Sequence, residues 1–160
     1  MNKLNTSYKF YFHDPDSYNW DKESYDLISS INTIEDYWEL NSLIDNYLHL
    51  GMFFLMRENI FPLWDNDNNN FSFSLKILKN DVKNYWTKIN SLVLSETFLK
   101  DNHKNLWNII NGVSISPKKN FCIIKIWLNI NNDINITENN IKEYFKIPKE
   151  YNGEIIIRKY

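Results

Sequence analysis

The chain has 160 residues, enough for one domain with its own core, and its 43% hydrophobic and 16% aromatic content exclude a disordered polymer. A formal net charge of -2 excludes nucleic-acid binding through a broad basic surface, leaving stacking and local clusters of cations for any such contact. The one cysteine, Cys122, excludes an internal disulfide and suits a reducing compartment; no apolar run resembles a signal peptide or a membrane span. Cytoplasmic location, no membrane contact and a monomer are therefore expected. Ala and Gln are absent while Asn, Ile and Lys abound, as AT-rich codons would produce. The run Asn66-Asp67-Asn68-Asn69-Asn70 is accordingly read as a solvated loop, not as a binding motif.

In chain order, residues 8–12 predict a strand that ends at the turn-rich His13-Asp14-Pro15-Asp16-Ser17, with Trp20 on the loop beyond. Thr33 is the predicted N-cap of a helix running to about Leu48, with Asp36 three residues on and Gly51 closing it. Residues 52–56 and 71–78 predict strands on either side of a loop that carries Trp64. Asp81 is the predicted cap of a second helix, with Val82, Tyr85, Trp86, Ile89, Leu92 and Val93 along one face. Residues 113–116 and 121–129 predict a hairpin turning at residues 117–120. A third helix is expected from Thr137 to just before Pro148, and a last strand over residues 154–160. Strands and helices interleave without a repeat, so the expected class is α+β with a mainly antiparallel sheet, in a single domain over residues 1–160.

The six tryptophans carry the functional reading. In Asn59-Ile60-Phe61-Pro62-Leu63-Trp64-Asp65 a large π surface is followed at once by a carboxylate, beside a stiffening proline. Two such rings with a fixed acid make a slot for a flat, cationic, hydrogen-bond-donating ligand. A methylated guanine fits that description, and an aromatic cage for methyl-lysine is the competing fit. Trp86 lies inside the apolar stripe of its helix and is read as core. On the first helix, Tyr37, Leu40, Leu43, Ile44, Tyr47 and Leu48 form the expected core face, while Ile34 and Trp38 fall outside it and suggest a partner surface. His13, His49 and His103 lack ligand spacing, Cys122 has no evident catalytic partner, and no glycine-rich phosphate loop is present. No enzyme, metal site or cofactor is expected.

These anchors are similar in order and spacing to the cap-binding translation initiation factor 4E family, over nearly the whole chain. Thr33-Ile34-Glu35-Asp36-Tyr37-Trp38 resembles the family's Thr-Val-Glu-Asp-Phe-Trp helix start, and Ile60-Phe61-Pro62-Leu63-Trp64-Asp65 its Ile-x-Pro-x-Trp-Glu loop. Asn84-Tyr85-Trp86, Ser95-Glu96-Thr97-Phe98, Gly112 and Ile126-Trp127 match further anchors. The resemblance implies a curved antiparallel sheet with helices on its convex face and a slot on its concave face for the 7-methylguanosine cap of mRNA. It implies that Trp20 and Trp64 sandwich the base, that Asp65 pairs with its N1–H and N2–H in place of the family's longer Glu, and that Trp127 lies against the methyl group. For Asp65 the alternative is a turn-forming acid, and for Trp127 a core ring under the sheet.

Ungapped alignment places Lys118 on the family's phosphate-binding Arg, while two further family lysines would fall on Asn120 and Ile123. Lys125 shares a strand face with Ile123 and substitutes in this reading, with Lys119 at the hairpin tip. The family's scaffold partner would dock at Ile34 and Trp38, but Lys88 occupies the position of a family Glu. That reversal predicts a dedicated partner rather than the ordinary one. The family's C-terminal loop beside the phosphates is expected to be missing, and Trp107 matches no family position and is read as core. The alternative to cap-dependent recruitment is a repressor or scaffold that keeps the fold with weak cap affinity.

Overall fold

The computed structural model describes residues 2–65 and 67–160. β1 (Lys3–His13) and β2 (Tyr25–Thr33) pair antiparallel, with His13 opposite Tyr25. Then follow α1 (Ile34–Ile44), β3 (Met52–Arg57), β4 (Phe71–Leu78), α2 (Val82–Leu94), a 3-10 stretch over Asp101–Ile109, β5 (Ile110–Pro117), β6 (Phe121–Leu128), the single turn α3 (Ile141–Tyr144) and β7 (Ile155–Lys159). The seven strands form one sheet in the order β2-β1-β3-β5-β6-β4-β7, antiparallel throughout. It is the curved α+β architecture expected from the sequence.

Period-two alternation gives the sheet two unlike faces. Tyr8, Phe10, Leu55, Phe73, Leu75, Val113, Ile124 and Ile126 belong to the main core, together with Tyr37 of α1 and Trp86, Ile89 and Val93 of α2. Trp86 is fully buried, as its place in the helical stripe required. The intervening residues build a smaller cluster on the other, concave face: Tyr11, Tyr25, Phe54, Met56 and Trp127. A helix-covered face can be filled with large apolar groups. The uncovered face keeps part of its aromatic surface accessible, and a cavity opens there.

Thr33 caps α1 as expected: its Oγ1 accepts from Asp36 N–H at 3.1 Å, and Asp36 Oδ2 accepts from Thr33 N–H at 3.0 Å. The backbone N–H groups of Asn32 and then Thr33 hold the Asp36 carboxyl below the usual carboxylate range. The core stripe of this helix is narrower than the sequence suggested. Tyr37, Leu40 and Asn41 are buried, whereas Leu43 and Tyr47, expected in the core, are 68% and 57% exposed. Leu43 stands about 120° from Tyr37 around the helix, and the 3-10 turn Asp45–Tyr47 rotates Tyr47 out of line.

Asp81 makes no side-chain cap bond, contrary to expectation. The chain enters α2 through a 3-10 turn over Lys79–Asp81, so Asp81 is already in a helical conformation and Val82 N–H is satisfied by Lys79 O. The expected third helix shrinks to Ile141–Tyr144. Asn140 accounts for this: its Oδ1 accepts from Thr137 N–H at 2.7 Å and its Nδ2 donates to Asn135 O at 2.8 Å, closing a turn that competes with helix. Trp107 packs half-buried against the main core, and Arg57 Nη2 donates to its carbonyl at 2.9 Å.

Candidate functional site

Two loops and four strands, far apart in sequence, meet on the concave face around a cavity of about 460 Å³. The β1–β2 loop supplies Trp20, the β3–β4 loop supplies Pro62, Leu63 and Trp64, and the strands supply Tyr25, Met52, Phe54, Ser114, Ser116, Lys125 and Trp127. Trp127 is held by its Nε1–H, which donates to Ser114 Oγ at 2.8 Å. It is buried at 4% exposure and also lines the cavity. Gly112 stands opposite Trp127 and Met56 in the ladder. A Cβ there would lie 2.9 Å from Met56 Cα and 2.6 Å from its Sδ, so the close approach of β5 to β3 requires glycine.

The Trp64 loop is fastened from several sides. Tyr25 Oη donates to Pro62 O at 3.2 Å, and the rings of Tyr25 and Tyr11 pack on Phe61 at 5.0 and 5.1 Å. Burial pushes the Tyr25 hydroxyl up to about 12, so it remains a donor at any physiological pH. Asn69 is fully buried and donates from Nδ2 to Phe61 O at 2.8 Å and to Leu63 O at 2.7 Å; its Oδ1 accepts from Asn111 Nδ2 at 2.9 Å. This corrects the reading of the Asn-rich run as solvated at Asn69 and Asn70, while Asp67 and Asn68 are exposed as expected. Asn69 is the internal strut of the loop, and Asn70 likewise clamps Ile130 through both ends of its amide. Asn66 lies outside the described residues.

Asp65 follows Trp64 but is absent from the cavity lining. Its Oδ1 accepts from the backbone N–H groups of Asn68 and Asn69, and its backbone bridges to Asn69. The turn-forming role is thus present in the geometry. A carboxylate has about four acceptor sites, and two remain beyond those bonds.

The cationic end also differs from the simple alignment. Lys118 and Lys119 are exposed at the β5–β6 turn, where Lys118 N–H closes on Phe121 O at 2.8 Å. Lys125 is half-buried, with its ammonium 5.6 Å from the Trp64 ring centre and 5.4 Å from that of Trp127. Burial first, then the charges of Arg158 and Lys118, lower its pKa to about 8. Arg158 is a residue that sequence reasoning missed. It faces Ser72 across β7–β4, and Ser72 in turn faces Trp127 across β4–β6, so an arginine and the cavity share one row of one face. Strand parity in Ile155-Ile156-Ile157-Arg158-Lys159 could have set Arg158 apart from its neighbours, but only the strand order brings it beside β6.

On the convex side, Trp38 is 44% exposed and packs edge-on against Tyr37 at 5.3 Å, and Ile34 is half-buried. Tyr37 Oη accepts from Asn90 Nδ2 at 3.1 Å, joining α1 to α2. Lys88 of α2 is not a bare cation, because its Nζ lies 3.0 Å from a Glu150 carboxylate oxygen. Among the described residues no group of acids, histidines or cysteines could hold a metal ion, and no helix is long and apolar enough to cross a membrane.

No curated protein sequence matches the chain. Several solved structures share its fold. One is Caenorhabditis elegans eIF4E-3 in complex with the 4E-binding protein Mextli and a cap analogue, at TM-score 0.73 and 18% identity over 94% of this chain and 88% of that one. Ascaris suum eIF4E-3 with the m7G cap gives 0.75 and 19% over 99% and 91%. A schistosome eIF4E with m7GpppA and 4E-BP gives 0.76 and 18% over 99% and 87%. At such identities the likeness speaks for the fold alone. The family model for eukaryotic initiation factor 4E goes further, matching residues 3–154, from the first residue of β1 to the residue before β7. The chain belongs to the eukaryotic initiation factor 4E family.

Proposed function

We propose that this chain binds the 7-methylguanosine cap of mRNA on its concave face and engages a scaffold partner through Ile34 and Trp38. The observation that carries the reading is the convergence of Trp20, Trp64 and Trp127 on one cavity that also contains Lys125. N7-methylation leaves the base cationic, so a ring on either side gains stacking of roughly 1–3 kcal/mol and about 0.5–2 kcal/mol of cation–π energy. Trp20 and Trp64 take those two places, and Trp127 forms the floor against the methyl group. Asp65 accepts from the guanine N1–H and N2–H through the acceptor sites its loop bonds leave over. Lys118, Lys125 and Arg158 hold the phosphate chain, with Lys119 at the turn beside them. The arginine adds a planar donor fork that lysines lack.

A second reading has its own support. The Lys125 ammonium already sits over two of the tryptophans, so the aromatic cluster accepts an ammonium, as a methyl-lysine reader must. Tryptophan fluorescence titrations with 7-methyl-GTP, GTP and a trimethyl-lysine peptide separate the two. Cap binding predicts micromolar or tighter affinity for 7-methyl-GTP, about -8 kcal/mol or better, and GTP at least about tenfold weaker. In Asp65→Asn the amide Oδ1 can keep both loop bonds while Nδ2 confronts the guanine donors, so a loss of more than about tenfold is expected. An unchanged affinity removes Asp65 from the base site. Preference for the peptide would replace the cap reading.

A further inference from the structure

The loop between β1 and β2 satisfies its polar groups internally. Asp16 N–H donates to Asp14 Oδ1 at 2.9 Å and Ser17 N–H to Asp14 O at 3.1 Å. Asn19 N–H donates to Ser17 Oγ at 3.2 Å, and Asp21 N–H to Asn19 Oδ1 at 2.9 Å. Such turns shape a loop without attaching it to anything. Among the described residues, the hydrogen bond that ties residues 14–21 to the sheet comes from His13, the last residue of β1, whose Nε2 lies 2.7 Å from Asn19 O. A carbonyl only accepts, so Nε2 carries a proton, and in the neutral ring the lone pair stands on Nδ1.

The same imidazole lies flat against Trp20, with ring centres 3.9 Å apart and planes 2° from parallel. His13 is fully buried, whereas Trp20 is 45% exposed and lines the cavity. One face of the indole is therefore covered from behind. Packing alone does not call for a histidine here. Its Nδ1 is buried without a partner, a cost that a phenyl ring of similar shape would avoid. The histidine is distinguished by doing two things at once, holding the carbonyl that precedes Trp20 and backing the ring of Trp20.

We propose that His13 is the positioning residue of Trp20. It presents the open indole face to the cavity in one orientation before any ligand arrives. The inference rests on the reading of Trp20 as one wall of the base slot. A wall ordered in advance saves the freedom that binding would otherwise have to remove, which lowers the dissociation rate and raises affinity.

The test combines amide hydrogen exchange of the free protein with 7-methyl-GTP titration. His13→Ala removes ring and hydrogen bond; His13→Phe keeps a ring, loses the bond, and remains informative should the alanine variant not fold. Exchange of residues 14–21 is expected to rise in both, more in the alanine variant. The affinity of His13→Ala for 7-methyl-GTP is expected to fall roughly three- to tenfold, with partial rescue in His13→Phe. In a Trp20→Ala background the His13 substitution should cost nothing further, because the ring it positions is gone. A purely structural histidine would instead weaken binding equally in both backgrounds, and that outcome overturns the proposal. Unchanged loop exchange in both His13 variants overturns it as well. If the unsubstituted protein fails to bind 7-methyl-GTP, the cap reading falls, and the exchange result alone decides whether His13 holds the loop.

Discussion

Lys125 shows how far one side chain can be moved from its solution behaviour by its place in a sheet. Surrounded by the rings of Trp64 and Trp127 and facing the charges of Arg158 and Lys118, it releases its proton at about 8 instead of its ordinary value near 10.5. Between those two values the unfolded chain holds a proton that the fold has released, so this residue's contribution to stability grows as pH rises through that window. Ligand binding has the opposite sign. A phosphate beside Lys125 favours the ammonium, so above about pH 8 binding must take up a proton and affinity falls as pH rises. Titrating 7-methyl-GTP from about pH 7 to about pH 9.5 should show a steeper loss for the unsubstituted protein than for Lys125→Arg, which stays charged throughout. Loss of charge on the base affects both alike. Parallel profiles would place Lys125 outside the phosphate contacts.

The elements repeat the lesson in their own terms. The capping box at Thr33 was legible because it is local: its two bonds span three residues, and both partners are visible in Thr33-Ile34-Glu35-Asp36. Residues 21–32 carried no strand prediction, yet 25–33 form β2, which owes its state to the ladder with β1 rather than to a pattern of its own. The state of Asn69 is hidden in the sequence for the same reason. An asparagine inside an Asn-rich run looks like codon bias until the fold buries it against Asn111 and two loop carbonyls. Gly112 gives this scale its sharpest test. Gly112→Ala drives a Cβ against the Leu55 and Met56 backbone beneath Trp127. The expected result is a destabilisation of roughly 1–3 kcal/mol or more, seen as a lower melting temperature together with weaker 7-methyl-GTP binding. A variant that melts and binds as the parent does would show that β3 and β5 can part without cost.

At the scale of the whole molecule, the sheet separates two surfaces: an aromatic cavity on one side, and α1 and α2 with Trp38 on the other. The charge reversal at Lys88 now looks milder than the sequence suggested, because Glu150 from the segment before β7 supplies a carboxylate beside it. Lys88→Glu would turn that pair into two neighbouring carboxylates. A scaffold peptide that presents an arginine there should then bind up to about fivefold tighter at low salt, the most that an exposed pair usually contributes, with the gain lost at high salt. Equal binding to both forms, measured by calorimetry, would put Lys88 outside the partner surface.

The sequence by itself determined what depends on short spans and on residue type: the α+β class, the Thr33 cap, the apolar stripe of α2, and tryptophans in the spacing of a known family. Tertiary structure alone decided which distant groups meet. Arg158 reaches the row of Trp127 through the order β6-β4-β7, Asp65 spends part of its carboxylate on its own loop, and His13 backs Trp20 by standing at the end of β1. The physical reason is that hydrogen bonds and side-chain periodicity along one segment are written in neighbouring residues. Contacts across a sheet are set by strand order and register, which no single segment contains.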